Sequence, residues 1–185
     1  VLAQLADGSF FEDYFIPQTV KVCRDYGFAG WHGPDGWGPW SSGSLCDTDF
    51  SDSMIGQFTS GRNWSLPECF APIPRLVTMH EIRAAEKAGK QVPDWGLSQL
   101  RARRDWITRN HFSEWLDFVA NRWIQFWRKM LNALHDEGFK GVINSAWTKA
   151  NFDAYFEYGI HYRKMAEIGM DAMVVETVAL GMSMM

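Results

Sequence analysis

Apolar and polar positions repeat one pattern three times along the chain: a helix-like segment, a glycine, then a short apolar run. Asp25-Tyr26-Gly27-Phe28-Ala29-Gly30 returns as Asp136-Glu137-Gly138-Phe139-Lys140-Gly141, and more loosely as Glu167-Ile168-Gly169-Met170-Asp171-Ala172. Glycine just past a helix is the common left-handed stop, because the missing Cβ removes the steric cost of a positive φ. The runs that follow, residues 28–32, 141–144 and 172–176, are short, apolar and quickly ended. They predict strands of a parallel sheet buried on both faces.

The segments between these runs carry helical spacing. Over residues 113–137, Trp115, Leu116, Val119, Trp123, Phe126, Trp127, Met130, Leu131 and Leu134 recur at intervals of three and four, one broad apolar stripe with Ser113 as its expected N-cap. A further helix is expected to begin at Thr148 or Asn151 and to break at Gly159, and residues 162–168 form a second short one. Strand, helix, strand, helix, strand is the βαβ order, normally parallel and right-handed.

Residues 33–110 interrupt this order. Gly33, Pro34, Gly36, Gly38, Pro39, Gly43, Gly61, Pro67, Pro72, Pro74 and Pro93 are too many breakers for another repeat, although short helices fit at residues 52–59 and 77–88. A long loop-rich insertion after a strand usually builds or covers a site. The fold class expected is therefore α/β: a partial (β/α)8 TIM-barrel with parallel strands and a long inserted loop region. Eight units take about 250 residues, so residues 1–185 are read as a single domain within a larger barrel, the remainder lying elsewhere in a longer chain. A small open sheet is the rival architecture.

Composition narrows the partners. The 185 residues carry 18 Lys+Arg and 22 Asp+Glu, a formal charge of −4, with no basic run, which argues against tracking a nucleic-acid backbone. No apolar stretch approaches the ~20 residues of a membrane span. The three cysteines, Cys23, Cys46 and Cys69, are too few and too dispersed for a zinc ribbon. Cys46 and Cys69 either pair in an oxidising compartment or stay free. Val1-Leu2-Ala3 fits a processed secretory leader or a truncated reading frame, leaving localisation open between an extracytoplasmic or secreted site and others. Without HExxH, a Gly-rich phosphate loop or GxSxG, no metal, cofactor or nucleophile elbow is expected.

In parallel α/β folds the chemistry collects at the carboxyl ends of the strands. Those ends carry Trp31, His32 and Asp35, then Asn144, Ser145 and Trp147, then Glu176. Carboxylates, an amide, an imidazole and indoles suit a polyhydroxylated ligand, whose hydroxyls take hydrogen bonds and whose C–H faces stack on aromatics. Trp31, Trp37, Trp40 and Trp147 are each a stacking surface or a core residue. His32 is a sugar-hydroxyl ligand, a proton shuttle or a satisfied core histidine. Glu176 ends the apolar run Met173-Val174-Val175, where burial raises a carboxyl pKa toward that of a general acid; the alternative is a salt bridge. Asp35, within Gly33-Pro34-Asp35-Gly36, is either a second carboxylate or a turn residue. The catalytic candidates are thus Asp35 and Glu176, with Trp31, His32, Trp37, Asn144 and Trp147 as substrate-binding candidates. Both carboxylates, with Asn144 and Trp147, are expected to face one open cleft at the strands' carboxyl end, the carboxyls about 6.5–9.5 Å apart.

Gly30-Trp31-His32-Gly33-Pro34-Asp35-Gly36-Trp37-Gly38, followed by a helical segment near residues 51–58, resembles the fourth-strand region of barrel glycoside hydrolases, beta-galactosidase-like enzymes of the retaining clan above all. Val142-Ile143-Asn144-Ser145 after a long Trp/Phe helix is similar to their fifth strand, and residues 172–176 then correspond to the sixth. The resemblance implies a glycoside-hydrolase-like barrel acting on carbohydrate by carboxylate acid/base chemistry. In that family an Asn-Glu pair ends the fourth strand, where Pro34-Asp35 stands here, and the nucleophile lies on a seventh strand. A non-catalytic carbohydrate-binding or structural barrel domain of a larger protein is therefore the alternative expectation.

Overall fold

The computed structural model describes residues 2–33, 49–144, 155 and 160–174. They fall into two compact units, one formed by Val1–Thr48 with Ser113–Met185, the other by Asp49–Phe112.

In the first unit, helix α1 (Phe11–Tyr26) leads into strand β1 (Gly30–His32). The long helix α5 (Phe112–His135) leads into β2 (Lys140–Asn144), and the short helix α6 (Tyr162–Glu167) into β3 (Ala172–Val174). The strands form one parallel sheet in the order β1-β2-β3, with Trp31 opposite Gly141 and Val142 opposite Ala172. The fold is α/β.

The threefold pattern in the sequence becomes the same hydrogen-bonded stop three times. Gly27, Gly138 and Gly169 have φ of 66°, 76° and 89°. Their N–H groups donate to Arg24 O, His135 O and Ala166 O, and the next residues, Phe28, Phe139 and Met170, donate to Cys23 O, Leu134 O and Met165 O. This is the Schellman pairing, which favours apolar residues at both ends of the longer bond. Cys23, Leu134 and Met165 are all buried.

The sheet has one covered face. Gly141 and Ile143 are buried toward α5, and a Cβ on Gly141 would lie 2.3 Å from Leu131 Cδ2. The Trp31 ring packs 5.6 Å from that of Trp127, on the same side. The nine apolar residues of the predicted stripe on α5 are all buried. On the opposite face, His32 and Ala172 are exposed and Val174 is 41% exposed. Among the described residues, burial of the strands on both faces, expected from their apolar runs, therefore holds for one face only. His32, Val142, Ala172 and Val174 occupy the alternate positions, and no described element covers them.

The helix ends expected from the sequence recur to within about two residues. Ser113 lies inside the first turn of α5 rather than capping it, because α5 starts at Phe112, with only His111 between it and the helix before. The expected start at Thr148 or Asn151 falls outside the described residues.

The second unit contains α2 (Asp52–Thr59), a 3-10 turn at Glu68–Phe70, α3 (Met79–Lys87) and α4 (Leu97–Asn110). Thr78 caps α3: its hydroxyl accepts from the Glu81 N–H while the Glu81 carboxylate accepts from the Thr78 N–H at 2.8 Å. The unit is organised around Arg103, whose side chain is fully buried. Its guanidinium donates to Phe50 O, Cys69 O, Ala71 O and Asp52 Oδ1 at 2.6–2.9 Å. The part of the expected loop-rich insertion that forms this unit is thus fastened by one arginine that satisfies its loops' backbone carbonyls. Aromatic contacts add to this: Phe70 lies 5.0 Å edge-on to Trp106, and Trp64 stacks 3.8 Å from His111.

Candidate functional site

The three parallel strands bring their carboxyl ends to one edge of the sheet, because the register places His32 beside Val142 and Asn144 beside Val174. Adjacent strands lie ~4.8 Å apart, so these ends form a short row. The first residue past β1, Gly33, still belongs to the ladder through its N–H to Val142 O at 3.0 Å.

Two of the expected binding residues lie side by side in β1 and point opposite ways, as strand alternation requires. Trp31 turns to the helix-covered face, edge-on to Phe15 at 6.2 Å and tilted against Trp127. Its contacts are those of a packing residue. His32 turns to the open face and is exposed, so the commonest fate of a histidine in an apolar strand, a satisfied core position, is not its own. Asn144 ends β2 in register with Val174; its side chain lies outside the described residues. Asp35, Trp37, Trp40, Trp147 and Glu176 also lie outside them, and with these the expected separation of the two carboxyls. Cys46 does too, while Cys69 is a free thiol whose pKa burial pushes up.

A cluster of charges that periodicity alone did not reveal stands in the helix layer near this edge. The start of α1 lies level with the end of β1, as the Phe15–Trp31 contact shows. One turn before Phe15, the Glu12 carboxylate is paired with Arg122 of α5, both buried. Lys129 Nζ lies 2.8 Å from Glu12 and 2.9 Å from Asp13. The Phe10 ring sits under the Arg122 guanidinium at 4.6 Å and under the Lys129 ammonium at 5.2 Å. The hydrogen bond from Lys129, and that from the Phe10 N–H, hold the Asp13 carboxyl below its usual range. Burial works against the charge on Lys129, but its bonds to Glu12 and Asp13 keep its pKa raised. A signal did exist in the sequence: Arg122 falls on the buried stripe of α5 between Val119 and Phe126, and Glu12 falls four residues before Ile16 on that of α1. Complementary charges on two apolar stripes predict a buried pair.

Opposite this edge, at the amino ends of the strands, Asp171 binds three groups at once. It accepts from the Gly141 N–H at 2.9 Å, meets His135 Nε2 at 2.7 Å and Lys140 Nζ at 2.9 Å, and the Gly141 N–H above all holds its pKa far below the usual carboxylate range. In parallel α/β folds this end serves stability.

Among the described residues no group of His, Cys, Asp and Glu is arranged to hold a metal ion, and no helix is long and apolar enough to cross a membrane. No family model matches the chain, and neither a curated protein nor a solved structure is significantly similar to it.

Proposed function

We propose that the carboxyl edge of the β1-β2-β3 sheet is the carbohydrate-handling edge of a glycoside-hydrolase-like (β/α)8 barrel. The observation that carries this reading is the exposure of His32 at the end of a parallel sheet whose strands follow in chain order and whose second face no described element covers. In a (β/α)8 barrel the strands run in that order, the helices cover the outer face and the other face is the barrel interior. Asp35 follows β1 by three residues and Glu176 follows β3 by two, which in sequence is where barrel enzymes keep their acids and bases. In this reading Glu176 and Asp35 supply acid/base chemistry, His32 and Asn144 bind hydroxyls, and Trp37 and Trp147 offer stacking faces.

One observation favours a non-catalytic reading. Trp31, which lies within β1, is used for packing, which weakens the stacking surface expected of an active cleft. A panel of aryl-glycosides and oligosaccharides separates the readings. An enzyme turns over at least one substrate, and Glu176→Gln or Asp35→Asn lowers its rate by orders of magnitude. A binding domain shows affinity without turnover that survives both substitutions and falls with His32→Ala. Neither turnover nor binding across the panel sinks both.

A further inference from the structure

The outer surface of the first unit carries a groove of about 600 Å³ between α5 and α6, a volume within the range of small-molecule sites. Both helices precede parallel strands through tight turns, so both run antiparallel to the sheet and parallel to each other. Lys164 Nζ donates to Asn121 Oδ1 at 3.1 Å and fixes their relative level. Along α5, Arg128 and its one-turn neighbour Asn132 then lie about 10 Å or more beyond Asn121, at 1.5 Å per residue. Glu167 lies one turn beyond Lys164, and Ile124 and Ile168 supply an apolar floor at that level.

The charges in this groove are unbalanced in a specific way. Arg128 and Glu167 both line it, yet neither makes an ion pair or hydrogen bond with the other or with any other group among the described residues. Lys164 is engaged with a neutral amide. A simple anion satisfies the guanidinium but stands against Glu167; a simple cation does the reverse. A neutral sugar finds no aromatic face in the lining to stack on. Opposite charges that do not pair with each other, beside apolar side chains, are complemented by a ligand that carries both charges and an aliphatic body.

We propose that this groove binds a small aliphatic zwitterion of the α-amino-acid class. Its carboxylate meets Arg128 and Asn132, its ammonium meets Glu167, and its side chain lies over Ile124 and Ile168. Guanidinium–carboxylate pairing is the strongest of these contacts because two parallel hydrogen bonds form. The site does not depend on the strand-edge reading, since it lies on the helix layer and uses none of the same residues.

Titration of the protein with leucine, followed by calorimetry and by amide chemical shifts, tests this directly. Binding is expected with a Kd on the order of 1 mM, as suits a solvent-open site. Shifts are expected at Arg128, Asn132, Lys164 and Glu167. Leucine methyl ester, which lacks the carboxylate, and 4-methylpentanoate, which lacks the amine, are each expected to bind about tenfold more weakly, a difference of about 1.4 kcal/mol. Arg128→Met abolishes the discrimination against the ester, and Glu167→Gln that against 4-methylpentanoate. Both residues are exposed and unpartnered among the described residues, so unchanged thermal midpoints are expected of both variants. No shift in the groove up to about 50 mM leucine overturns the proposal. So do equal affinities for leucine and its two analogues. Inorganic phosphate binding as tightly as leucine overturns it as well, in favour of a plain oxyanion site.

Discussion

Glu12 and Arg122, 110 residues apart, form an ion pair whose side chains are only 1% and 6% exposed. It ties α1 to α5 beside the aromatic layer of Phe15, Trp31 and Trp127, the layer that supports the end of β1. Burial makes both charges costly, and their pairing, with Lys129 at 2.8 Å from Glu12, offsets that cost. Removing one partner of a buried pair leaves an uncompensated charge and costs about 3–5 kcal/mol, whereas replacing both by apolar groups of similar size is often neutral. Glu12→Leu is therefore expected to lower the urea midpoint strongly, and Glu12→Leu with Arg122→Leu to restore most of the loss. A double variant as unstable as the single one defeats this account of the pair.

The network around Asp171 predicts how stability depends on acid. The Gly141 N–H first, then His135 and Lys140, favour the charged carboxylate, so its folded pKa lies below the ordinary value of 3.8. A depressed folded pKa contributes stability that is present above the unfolded pKa and fades as pH falls toward the folded one. Wild type is expected to exceed Asp171→Asn in thermal midpoint at pH 5 to 7, with the gap narrowing once pH drops below about 3.8. A gap that stays constant down to about pH 2 contradicts this assignment.

In the second unit, Arg103 satisfies three backbone carbonyls and one carboxylate from a fully buried position. Lysine keeps the charge but has neither the planar fork nor the reach to serve acceptors on several sides at once. Arg103→Lys is expected to cost on the order of 3 kcal/mol, the scale for breaking a buried charged network. Asp52 also accepts from the Ile73 N–H at 2.9 Å, so amide exchange at Ile73 reports the same network. Its protection is expected to fall in the variant, and unchanged protection argues that Arg103 is not the fastening.

How much of this was legible in the sequence depends on how local the signal is. The glycine stops at Gly27, Gly138 and Gly169, the stripe on α5 and the residue range of α2 all rest on neighbours within a turn or two, and the structure reproduces them. Helix α4 was hidden because only Arg103 and Ile107 of its fourteen residues are buried, so it shows almost no apolar periodicity. Its arginine core depends on carbonyls more than thirty residues away, which no spacing rule reports. The open face of the sheet was missed for a related reason. An apolar run such as residues 172–174 shows that a strand can be buried on both faces, not that something covers them. For the candidate site, the sequence placed His32 at a strand end, where the structure has it, but split Trp31 evenly between stacking and packing; only the contacts with Phe15 and Trp127 decide it.

Two glycines in the sheet differ in what a methyl group would meet, and that difference is measurable. A Cβ on Gly30 would lie 2.1 Å from Lys140 O and 2.7 Å from Lys140 N, backbone atoms of the neighbouring strand. They can yield only if β1 parts from β2. A Cβ on Gly141 would lie 2.3 Å from Leu131 Cδ2, the far end of a side chain that has other rotamers, although Leu131 is itself fully buried. Overfilling a well-packed interior costs about 1–3 kcal/mol when side chains can adjust, and occasionally more. Gly141→Ala is expected to fall near the lower part of that range, offset by about 0.5–1 kcal/mol from the reduced freedom of the unfolded chain. Gly30→Ala is expected to exceed about 3 kcal/mol, because the ladder itself must open. Amide exchange distinguishes the causes. The Lys140 N–H, which donates to Ala29 O, and the Gly33 N–H, which donates to Val142 O, are expected to lose protection in Gly30→Ala and to keep it in Gly141→Ala. Equal losses in the two variants, or intact protection at Lys140 and Gly33 in Gly30→Ala, disprove the close approach of these strands as the reason for glycine at position 30.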